Sequence, residues 1–447
     1  TGLNHLIAIS GFHVGMVATA ASAAAWCLWW LCPGLARHVP RPHAVVAAAC
    51  VGAAVYTAVA GFALPTVRTT LMIVAFAAAR IARRGFGAAD ALAWSVVAIV
   101  LADPLSVLSA GFWLSCGGVA WLVWCLGGTA AHPVASLLSS QGVATVGLFP
   151  VSAAVFGQAS AVGPFANLFA IPWWSLVVVP LALCGTALES VAPGWGAWAW
   201  RLSAWVFAPS WDACAWLARS PLAMHWLPQP GWFALPLAML AALWLLMPRG
   251  VPARGLALAL WCPLLWPDTD PPAAGAFDVV MVDVGQGLAV VVRTAHHAVL
   301  YDTGPAVEEG FDAGERAVVP TLRALGIARL DLLVLSHADN DHAGGYAAVV
   351  RDIPVEEVRW PEGSGLDPGA LRAESCVAGA AWTRDGVRFR FIHPPVHFPY
   401  LRNNASCVLR VESAAGTALL TGDIDGVVED GLVKRHAGAL PADVVSV

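Results

Sequence analysis

Residues 336–345 read SHADNDHAGG and place four potential metal ligands within one turn of the chain, at His337, Asp339, Asp341 and His342. The preceding run LDLLVLS (330–336) predicts a short buried strand, so the cluster would lie where a strand ends and a helix begins. Imidazole nitrogens and carboxylate oxygens are ligands that zinc, manganese and iron accept, and Gly344 and Gly345 permit close backbone approach. The pattern favours a metal site. The alternative is a solvated charged turn that caps the next helix.

The composition of the chain indicates a membrane protein. Hydrophobic residues make up 58% of the 447 residues and charged residues 12%, whereas an ordinary soluble domain has about 25% charged residues. Residues 1–266 contain ten arginines, no lysine and four acidic residues (net +6), which leaves 14 basic and 25 acidic residues (net −11) for the remainder. We therefore predict two domains, an apolar one at 1–266 and an acidic soluble one at 277–447.

Ten apolar stretches in the first domain approach the roughly 20 residues that a helix needs to cross about 30 Å of hydrocarbon. They lie at 7–31, 44–64, 66–80, 90–102, 107–126, 134–156, 163–187, 197–217, 232–247 and 254–266. Arginines follow the first, third and ninth stretches, at Arg37, Arg41, Arg80, Arg83, Arg84, Arg249 and Arg254. With ten spans all of them lie on one side, which the positive-inside rule makes cytoplasmic. The soluble domain would then face away from the cytoplasm.

The chain after the last apolar stretch changes character. Prolines and acidic residues at 267–276 cannot continue a helix and predict a linker. Strand-like runs follow at 277–284, 288–294, 298–304, 388–395, 406–413 and 417–423. The glycine-rich break at 285–287 predicts a tight hairpin turn, and residues 314–325 predict a helix before the ligand strand. This order indicates an α/β sandwich that carries its site at strand ends.

The ten cysteines are divided unevenly, because eight lie in the apolar part and only Cys376 and Cys407 in the soluble part. No C-x-x-C pair occurs. Buried free thiols are therefore expected rather than a disulfide framework or a zinc knuckle. The chain begins at Thr1 and stops within the strand-like run DVVSV (443–447), so we expect a fragment with an incomplete soluble domain.

The soluble part resembles the metallo-β-lactamase superfamily, whose H-x-H-x-D-H signature corresponds here to His337-x-Asp339-x-Asp341-His342. Aspartate replaces the second histidine of the signature. With DVGQG (283–287), DTG (302–304), RNNASCVLR (402–410) and LLTGD (419–423), this part is similar to the ComEC family of DNA internalisation-related competence proteins. The apolar part resembles that family's competence domain at GLNHLIAISGFHVGMVA (2–18), PTVRTTLM (65–72), DPLSVLSAGFWLS (103–115) and GPFANLFAIP (163–172).

The resemblance implies a multi-pass protein of the cell inner membrane that works with the competence machinery in natural transformation and passes one DNA strand into the cytoplasm. Its fold would be a polytopic α-helical membrane domain followed by an αββα metallo-β-lactamase-like sandwich, here truncated at its C-terminus. The sandwich would be a metal-dependent phosphodiesterase that degrades the strand not taken in. The partners implied are DNA, in transit as a single strand, and the lipid bilayer.

The resemblance also implies roles for single residues. By match to the motif, His337 and Asp339 would bind one divalent ion, manganese or zinc, and Asp341 and His342 a second. Asp423 would bridge both ions in the complete protein, and Asp341 and His342 would be the catalytic residues. The family carries a further histidine after the strand that reads DVVSV here, which would lie beyond Val447. We therefore expect this chain to bind at most one ion tightly.

Departures from the superfamily pattern leave alternatives open. The histidine that superfamily hydrolases carry after the signature has no clear equivalent, because that region reads RNNAS (402–406). His393 and His397 lie nearby and are expected to be packed or solvent-facing. Leu288 replaces an aspartate that often follows Gly287 in relatives.

One alternative is a DNA channel with a catalytically inactive DNA-binding domain. The other is a membrane-anchored metallohydrolase of a small molecule, against which ten spans with polar residues argue.

Polar residues inside predicted spans require a reason, because an Arg or Asp at the helix centre costs about 2.5–3.5 kcal/mol on insertion scales. The candidates are His5, His13 and Arg68. His5 and His13 are two turns apart and fall on a similar helix face. These residues would line a polar path for DNA. Alternatively, they satisfy breaks in the backbone hydrogen bonding at glycines and at Pro65.

Overall fold

The computed structural model describes residues 11–82, 87–126, 132–248, 250–307 and 310–446. The chain divides into two compact units, a helical unit that ends at Trp266 and a sandwich unit that begins at Pro267. The short segment Leu227–Gln229 belongs to the sandwich unit, where the Gln229 amide donates to the carbonyl of Ala324 at 2.8 Å. Among the residues to which a role or a side of the membrane is assigned above, His5, Arg83, Arg84 and Arg249 lie outside the described ranges.

The helical unit consists of apolar helices at the places of the predicted spans. Within the described residues they are Gly11–Leu31, Arg41–Val59, Leu64–Ile81, Ala88–Ala102, Ala110–Leu126, Pro133–Phe156, Gly163–Val191, Ala197–Ala218, Ala234–Leu246 and Arg254–Leu265. Five described helices are long and apolar enough to cross a membrane, namely Gly11–Leu31, Arg41–Val59, Leu64–Ile81, Ala135–Phe156 and Gly163–Val191. Four of the other helices have 10–17 residues, and the 22-residue helix Ala197–Ala218 is not among the five, so the count of ten spans stays a prediction.

The surface of the helical unit suits lipid. Large apolar side chains point outward, and Val59 and Leu176, for example, are 82% and 70% exposed. Small residues lie where helices touch, since a Cβ added to Gly52 would lie only 2.9 Å from the Cβ of Ala21. Membrane helices associate through such small residues, because lipid tails are as apolar as leucine and hydrophobic burial alone gives no driving force. The unit is therefore built for a bilayer.

The sandwich unit contains two β-sheets. Strands are numbered along the whole chain, so that β1 (Gln158–Ala159) and β2 (His225–Trp226) are a short pair in the helical unit. One sheet has the order β3-β4-β5-β6-β7-β8 and the other the order β13-β12-β11-β10-β9. The first comprises β3 Asp278–Met281, β4 Val290–Arg293, β5 Ala298–Tyr301, β6 Leu332–Val334, β7 Glu357–Trp360 and β8 Arg372–Ser375. The second comprises β9 Ala381–Arg384, β10 Val387–His393, β11 Val408–Ser413, β12 Gly416–Leu420 and β13 Val444–Ser446.

Alternating side chains along the strands separate the apolar layers. In β4, Val290 and Val292 pack in the core between the two sheets, whereas Val291 packs in the core beneath the outer helices, as a two-residue period requires. Helices cover the outer faces of both sheets, at Val319–Ala324, Tyr346–Asp352 and Gly426–His436. The predicted αββα sandwich is thereby confirmed.

The connection between β3 and β4 is longer than the tight turn predicted for it. The strands do pair as an antiparallel hairpin, but residues 282–289 separate them. This loop reaches the helix Asn340–Ala343, where the Leu288 amide donates to the carbonyl of Asp341 at 3.1 Å. Gly287 has a φ of +136°, and a Cβ there would collide with that carbonyl oxygen. Glycine is therefore required at 287, for both conformation and close approach.

A disulfide joins Cys376 and Cys407, contrary to the expectation of free thiols, with Cα atoms 5.9 Å apart. Cys376 directly follows β8 of one sheet and Cys407 directly precedes β11 of the other, so the bond links the two sheets from fully buried positions. The other eight cysteines are free, as expected. The sequence gives no signal for this pairing because the two cysteines are 31 residues apart and belong to no recognisable spacing pattern.

Candidate metal centre

The candidate site forms where strands of both sheets end. β5 and β6 are parallel neighbours, so Asp302 and Ser336, which follow them closely, meet at one edge of the sheet. The amide and the hydroxyl of Ser336 donate to the two carboxylate oxygens of Asp302 at 2.6 and 2.7 Å. Asp423 comes from the loop after β12 of the other sheet. Three loops therefore supply polar side chains to one place.

Three of the predicted ligands converge, namely His337, His342 and Asp423. One potential ligand atom of each lies within 4.8 Å of those of the other two. The Nε2 of His342 is 3.2 Å from a carboxylate oxygen of Asp423, and the two imidazole rings have centroids 4.3 Å apart. Both histidines are buried, whereas the Asp423 side chain is 41% exposed. Of the three side chains in the cluster, only that of Asp423 is open to solvent.

The surroundings of the His337 ring indicate whether the cluster can bind a cation. Its Nε2 is buried and has no hydrogen-bond partner among the described residues, although such nitrogens are almost always paired. Its Nδ1 lies 2.9 Å from the Ser336 hydroxyl and 3.3 Å from that of Ser406. Burial, and then repulsion by His342, lowers the pKa of His337 and so favours a neutral ring with a free lone pair. An unpaired, neutral imidazole nitrogen beside a carboxylate fits a divalent cation.

Asp302 is not among the predicted ligands, yet it fixes His342. Its fully buried carboxylate lies 2.8 Å from the Nδ1 of His342, which leaves Nε2 directed toward Asp423. Burial alone would lower the pKa of His342, but the hydrogen bond to Asp302 and nearby negative charges raise it to about 9. A carboxylate behind a histidine in this way orients metal-binding imidazoles and raises their basicity. A cation at Nε2 would replace the proton there.

The other two predicted ligands, Asp339 and Asp341, lie apart from the three-residue cluster. A carboxylate oxygen of Asp339 is 3.9 Å from the Nε2 of His337, at the edge of the cluster. Asp341 lines a groove of about 630 Å³ together with Asp283 and Phe311. The same short helix, Asn340–Ala343, carries Asp341 and His342, so groove and cluster are neighbours.

Glycines allow the ligand loop to pack tightly behind the site. A Cβ on Gly344 would collide with the amide nitrogen of Ala306, and one on Gly345 would collide with the carbonyl oxygen of Thr303. The amide and the hydroxyl of Thr303 both donate to the carbonyl of His342, at 2.7 and 2.9 Å. The loop after β5 therefore fixes the backbone of His342, a candidate metal ligand.

Ser406 is the residue that the 402–406 region contributes to the site. Besides its contact with His337, its hydroxyl accepts a hydrogen bond from the Asp423 amide at 3.3 Å. His393 is buried, and its Nε2 donates to the carbonyl of Asn404 at 2.9 Å. His397 is exposed. A serine thus stands beside the candidate ligands in the region where superfamily hydrolases carry a histidine.

The helical unit contains a second candidate site, at Arg68. This residue is only 6% exposed, and its Nε has no hydrogen-bond partner among the described residues. Its guanidinium faces Gly111, where an added Cβ would lie 3.3 Å from a terminal nitrogen. His13 is half-buried in the helix Gly11–Leu31. A buried cation in apolar surroundings is costly, which marks Arg68 as a functional candidate.

Comparison with known protein families matches both parts of the chain. The family model described as Competence protein matches residues 1–252, and that of the metallo-beta-lactamase superfamily matches residues 282–445. Among solved structures, a metallo-beta-lactamase with a HARLDQ motif from Cronobacter sakazakii is 20% identical, covering 34% of this chain and 66% of its own, with a TM-score of 0.26.

Curated relatives match along the whole chain. Competence protein ComA of Neisseria gonorrhoeae is 38% identical over 99% of this chain and 61% of its own length. ComE operon protein 3 of Bacillus subtilis (strain 168) is 24% identical over 100% of this chain and 60% of its own length. The chain thus spans about three fifths of the length of these relatives. Because the competence model alone matches 252 of the 447 residues, the chain belongs to the competence protein family.

Proposed function

We propose that the complete protein passes a single DNA strand across the inner membrane during natural transformation, and that its sandwich unit is a metal-dependent phosphodiesterase that degrades the strand left outside. The observation that carries the proposal is the buried Nε2 of His337, which has no hydrogen-bond partner in the described part of the chain and lies beside His342 and Asp423, in a chain whose membrane unit is of the competence family. The membrane unit alone would support transport, and the cluster adds a site for hydrolysis. DNA and the competence machinery are the partners.

Each residue of the cluster has a role in this proposal. In the complete protein His337 and Asp339 would hold one divalent ion, manganese or zinc, Asp341 and His342 would hold a second, and Asp423 would be shared by both. Asp302 fixes the ring of His342. When bound, such an ion supplies positive charge that stabilises the negative charge developing on a phosphodiester during hydrolysis.

Asp341→Ala in the complete protein should abolish manganese- or zinc-dependent DNA cleavage, because the second ion would lose its carboxylate ligand. Cleavage of a labelled duplex by the purified protein, with each metal and with a chelator, measures the effect. Asp430→Ala is a matched control, since Asp430 is an exposed aspartate on the helix Gly426–His436. If the Asp341 variant cleaves DNA as fast as the parent, the second-ion assignment is wrong.

A sandwich unit that binds DNA without cleaving it is a second candidate, and Ser406 favours it. With serine in place of the superfamily histidine, the ligand set is one imidazole short, which weakens the hold on an ion. In that case neither the parent nor the Asp341 variant would cleave DNA with any metal. Metal-dependent retention of a labelled oligonucleotide would then remain as the activity of the unit.

Two independent features support a sandwich unit outside the cytoplasm. With ten spans, the seven arginines that follow the first, third and ninth spans, among them Arg37 and Arg80, fall on the cytoplasmic side, whereas Arg219 after the eighth span falls on the other. The disulfide between Cys376 and Cys407 points to an oxidising compartment, because thiols of cytosolic proteins are kept reduced. The periplasm or outer surface satisfies both conditions, and there the unit would meet DNA before transport.

A reporter fused after Asp423 should therefore be active only outside the cytoplasm. Alkaline phosphatase, which needs disulfides, should be active at this position, and a fluorescent protein that matures only in the cytoplasm should be dark. A fusion after Arg37 should give the inverse pattern and serves as the control. The reverse result at both positions would place the sandwich unit in the cytoplasm and remove its role on the excluded strand.

The path for DNA is proposed to include Arg68, His13 and His5. Phosphates cannot cross hydrocarbon without polar partners, so a strand in transit needs cationic or hydrogen-bonding side chains within the helices. The buried guanidinium of Arg68, whose Nε has no hydrogen-bond partner within the described ranges, supports this role. His5 lies outside the described residues, and its place in the path rests on its spacing from His13.

A further inference from the structure

A groove among the first three described helices carries two arginines at one end. It has a volume of about 570 Å³ and is lined by residues of Gly11–Leu31, Arg41–Val59 and Leu64–Ile81. Arg41 begins the second of these helices and Arg80 lies in the last turn of the third. Because consecutive helices run in opposite directions, both arginines come to the same end of the groove.

The charge of this end is not compensated within the groove. Among the described residues no acidic side chain lines it, so neither arginine has a carboxylate partner from them there. The guanidinium of Arg41 lies over the indole ring of Trp26, 5.7 Å from its centroid. Tryptophan is enriched at the level of lipid headgroups. The end of the groove is thus a cationic pocket at the expected depth of a membrane interface.

The rest of the groove is mainly apolar. Val45 and Val46 line one side, and Met72, Ile73 and Phe76 line the other. The lining extends from Arg80 to Thr69, about 16 Å along the helix at about 1.5 Å per residue. This is about half of the roughly 30 Å of hydrocarbon in a bilayer. The groove therefore has the length of one leaflet, with its charge at the headgroup end.

We infer that this groove binds one anionic phospholipid, with the phosphate between Arg41 and Arg80 and an acyl chain along the apolar lining toward Thr69. Basic pockets between membrane helices on the cytoplasmic side are known to bind anionic headgroups. A DNA phosphate would match the arginines equally but would leave the apolar lining exposed, so the lining favours the lipid. The assignment to the cytoplasmic leaflet rests on the proposed orientation, whereas the binding itself does not.

Native mass spectrometry of the purified chain tests the inference. The protein is exchanged into micelles that contain phosphatidylglycerol or phosphatidylcholine, and retained lipids are counted. The parent should retain one phosphatidylglycerol in preference to phosphatidylcholine. In Arg41→Gln/Arg80→Gln this preference should fall about 30-fold, about fivefold for each arginine.

Two further variants separate the site from general charge effects. Arg37→Gln removes an exposed arginine of the neighbouring segment Pro33–Arg37 and should leave the preference unchanged. Val46→Phe keeps both arginines but fills part of the groove, so it should reduce retention of both lipids. Far-UV circular dichroism and gel filtration check that each variant is folded. If the double variant is not folded, Val46→Phe alone still tests whether the groove binds lipid.

The inference is overturned if the double variant and Arg37→Gln lose the preference equally, or if Val46→Phe retains lipid as the parent does. It is also overturned if a short single-stranded oligonucleotide competes with phosphatidylglycerol for the parent, and if binding of the oligonucleotide is lost in the Arg41/Arg80 variant but not in Val46→Phe. That pattern would identify the arginines as DNA contacts. Neither outcome would alter the case for the metal centre, which lies in the other unit.

Discussion

His337→Gln should remove tight divalent-ion binding from the sandwich unit. His337 offers a buried Nε2 that has no hydrogen-bond partner among the described residues, and glutamine offers no imidazole lone pair there. We expect the affinity for manganese or zinc to fall at least about 100-fold, which exceeds the usual effect of changing a supporting residue. Isothermal titration of the purified chain with each metal measures the loss directly.

His393→Gln is the matched control, because His393 is equally buried and also has one ring nitrogen, Nδ1, without a hydrogen-bond partner among the described residues, but it is not a member of the ligand cluster. Its affinity for metal should equal that of the parent. Asp302→Asn should lie between the two, with a loss of about 10–100-fold, because Asp302 orients His342 without being a member of the cluster. Equal affinity of the His337 variant and the parent would contradict the assignment of the site.

Arg68→Ala should reduce uptake of DNA into the cytoplasm at least about tenfold while leaving cleavage by the sandwich unit unchanged. Arg68 is almost fully buried in the helix Leu64–Ile81 and lacks a partner at Nε among the described residues, so a passing phosphate would be its counter-ion. The measurement is internalised labelled DNA per unit of membrane-inserted protein. Arg68→Lys should retain part of the uptake because it keeps the charge.

Arg201→Ala is the control for Arg68, since Arg201 is an exposed arginine at the helix Ala197–Ala218. It should take up DNA at the parental rate. If Arg68→Ala also does so at equal protein level, Arg68 does not contact the strand and its burial has a structural cause. Coupled loss of uptake and cleavage would indicate a misfolded protein, which the amount of membrane-inserted protein detects.

Sequence patterning predicts the strands whose side chains alternate between two buried layers, and misses those without such alternation. β4 reads VVVR and is buried on both faces, so its apolar run is visible in the sequence. β8 reads RAES with all four side chains exposed, which gives no apolar signal. β8 lies within the stretch 361–379, which is rich in glycine and proline and is typical of a loop. The strands β7 and β9 lie before and after this stretch.

The site is predictable only as far as it is local. His337 and His342 lie on one loop, and their residue types alone indicate a metal site. Asp302 comes from a neighbouring parallel strand, and its contact with His342 depends on the register that pairs Tyr301 with Val334. The available signal was an acidic residue directly after a buried strand. A local motif does not specify the register between strands. The contact of Asp302 with His342 could therefore be recognised only from the fold.

The fate of the two strands of labelled duplex DNA is the most direct test of the proposed function. A transformable strain that lacks this gene is complemented with the parent or with His337→Gln in the complete protein, and label is measured inside the cytoplasm and as nucleotides released outside. We expect similar amounts of internalised and released label with the parent, neither without the gene, and loss of the released label with His337→Gln. Undiminished internalisation without the gene would show that the protein does not carry the strand, and undiminished release with the variant would show that the metal centre does not degrade it.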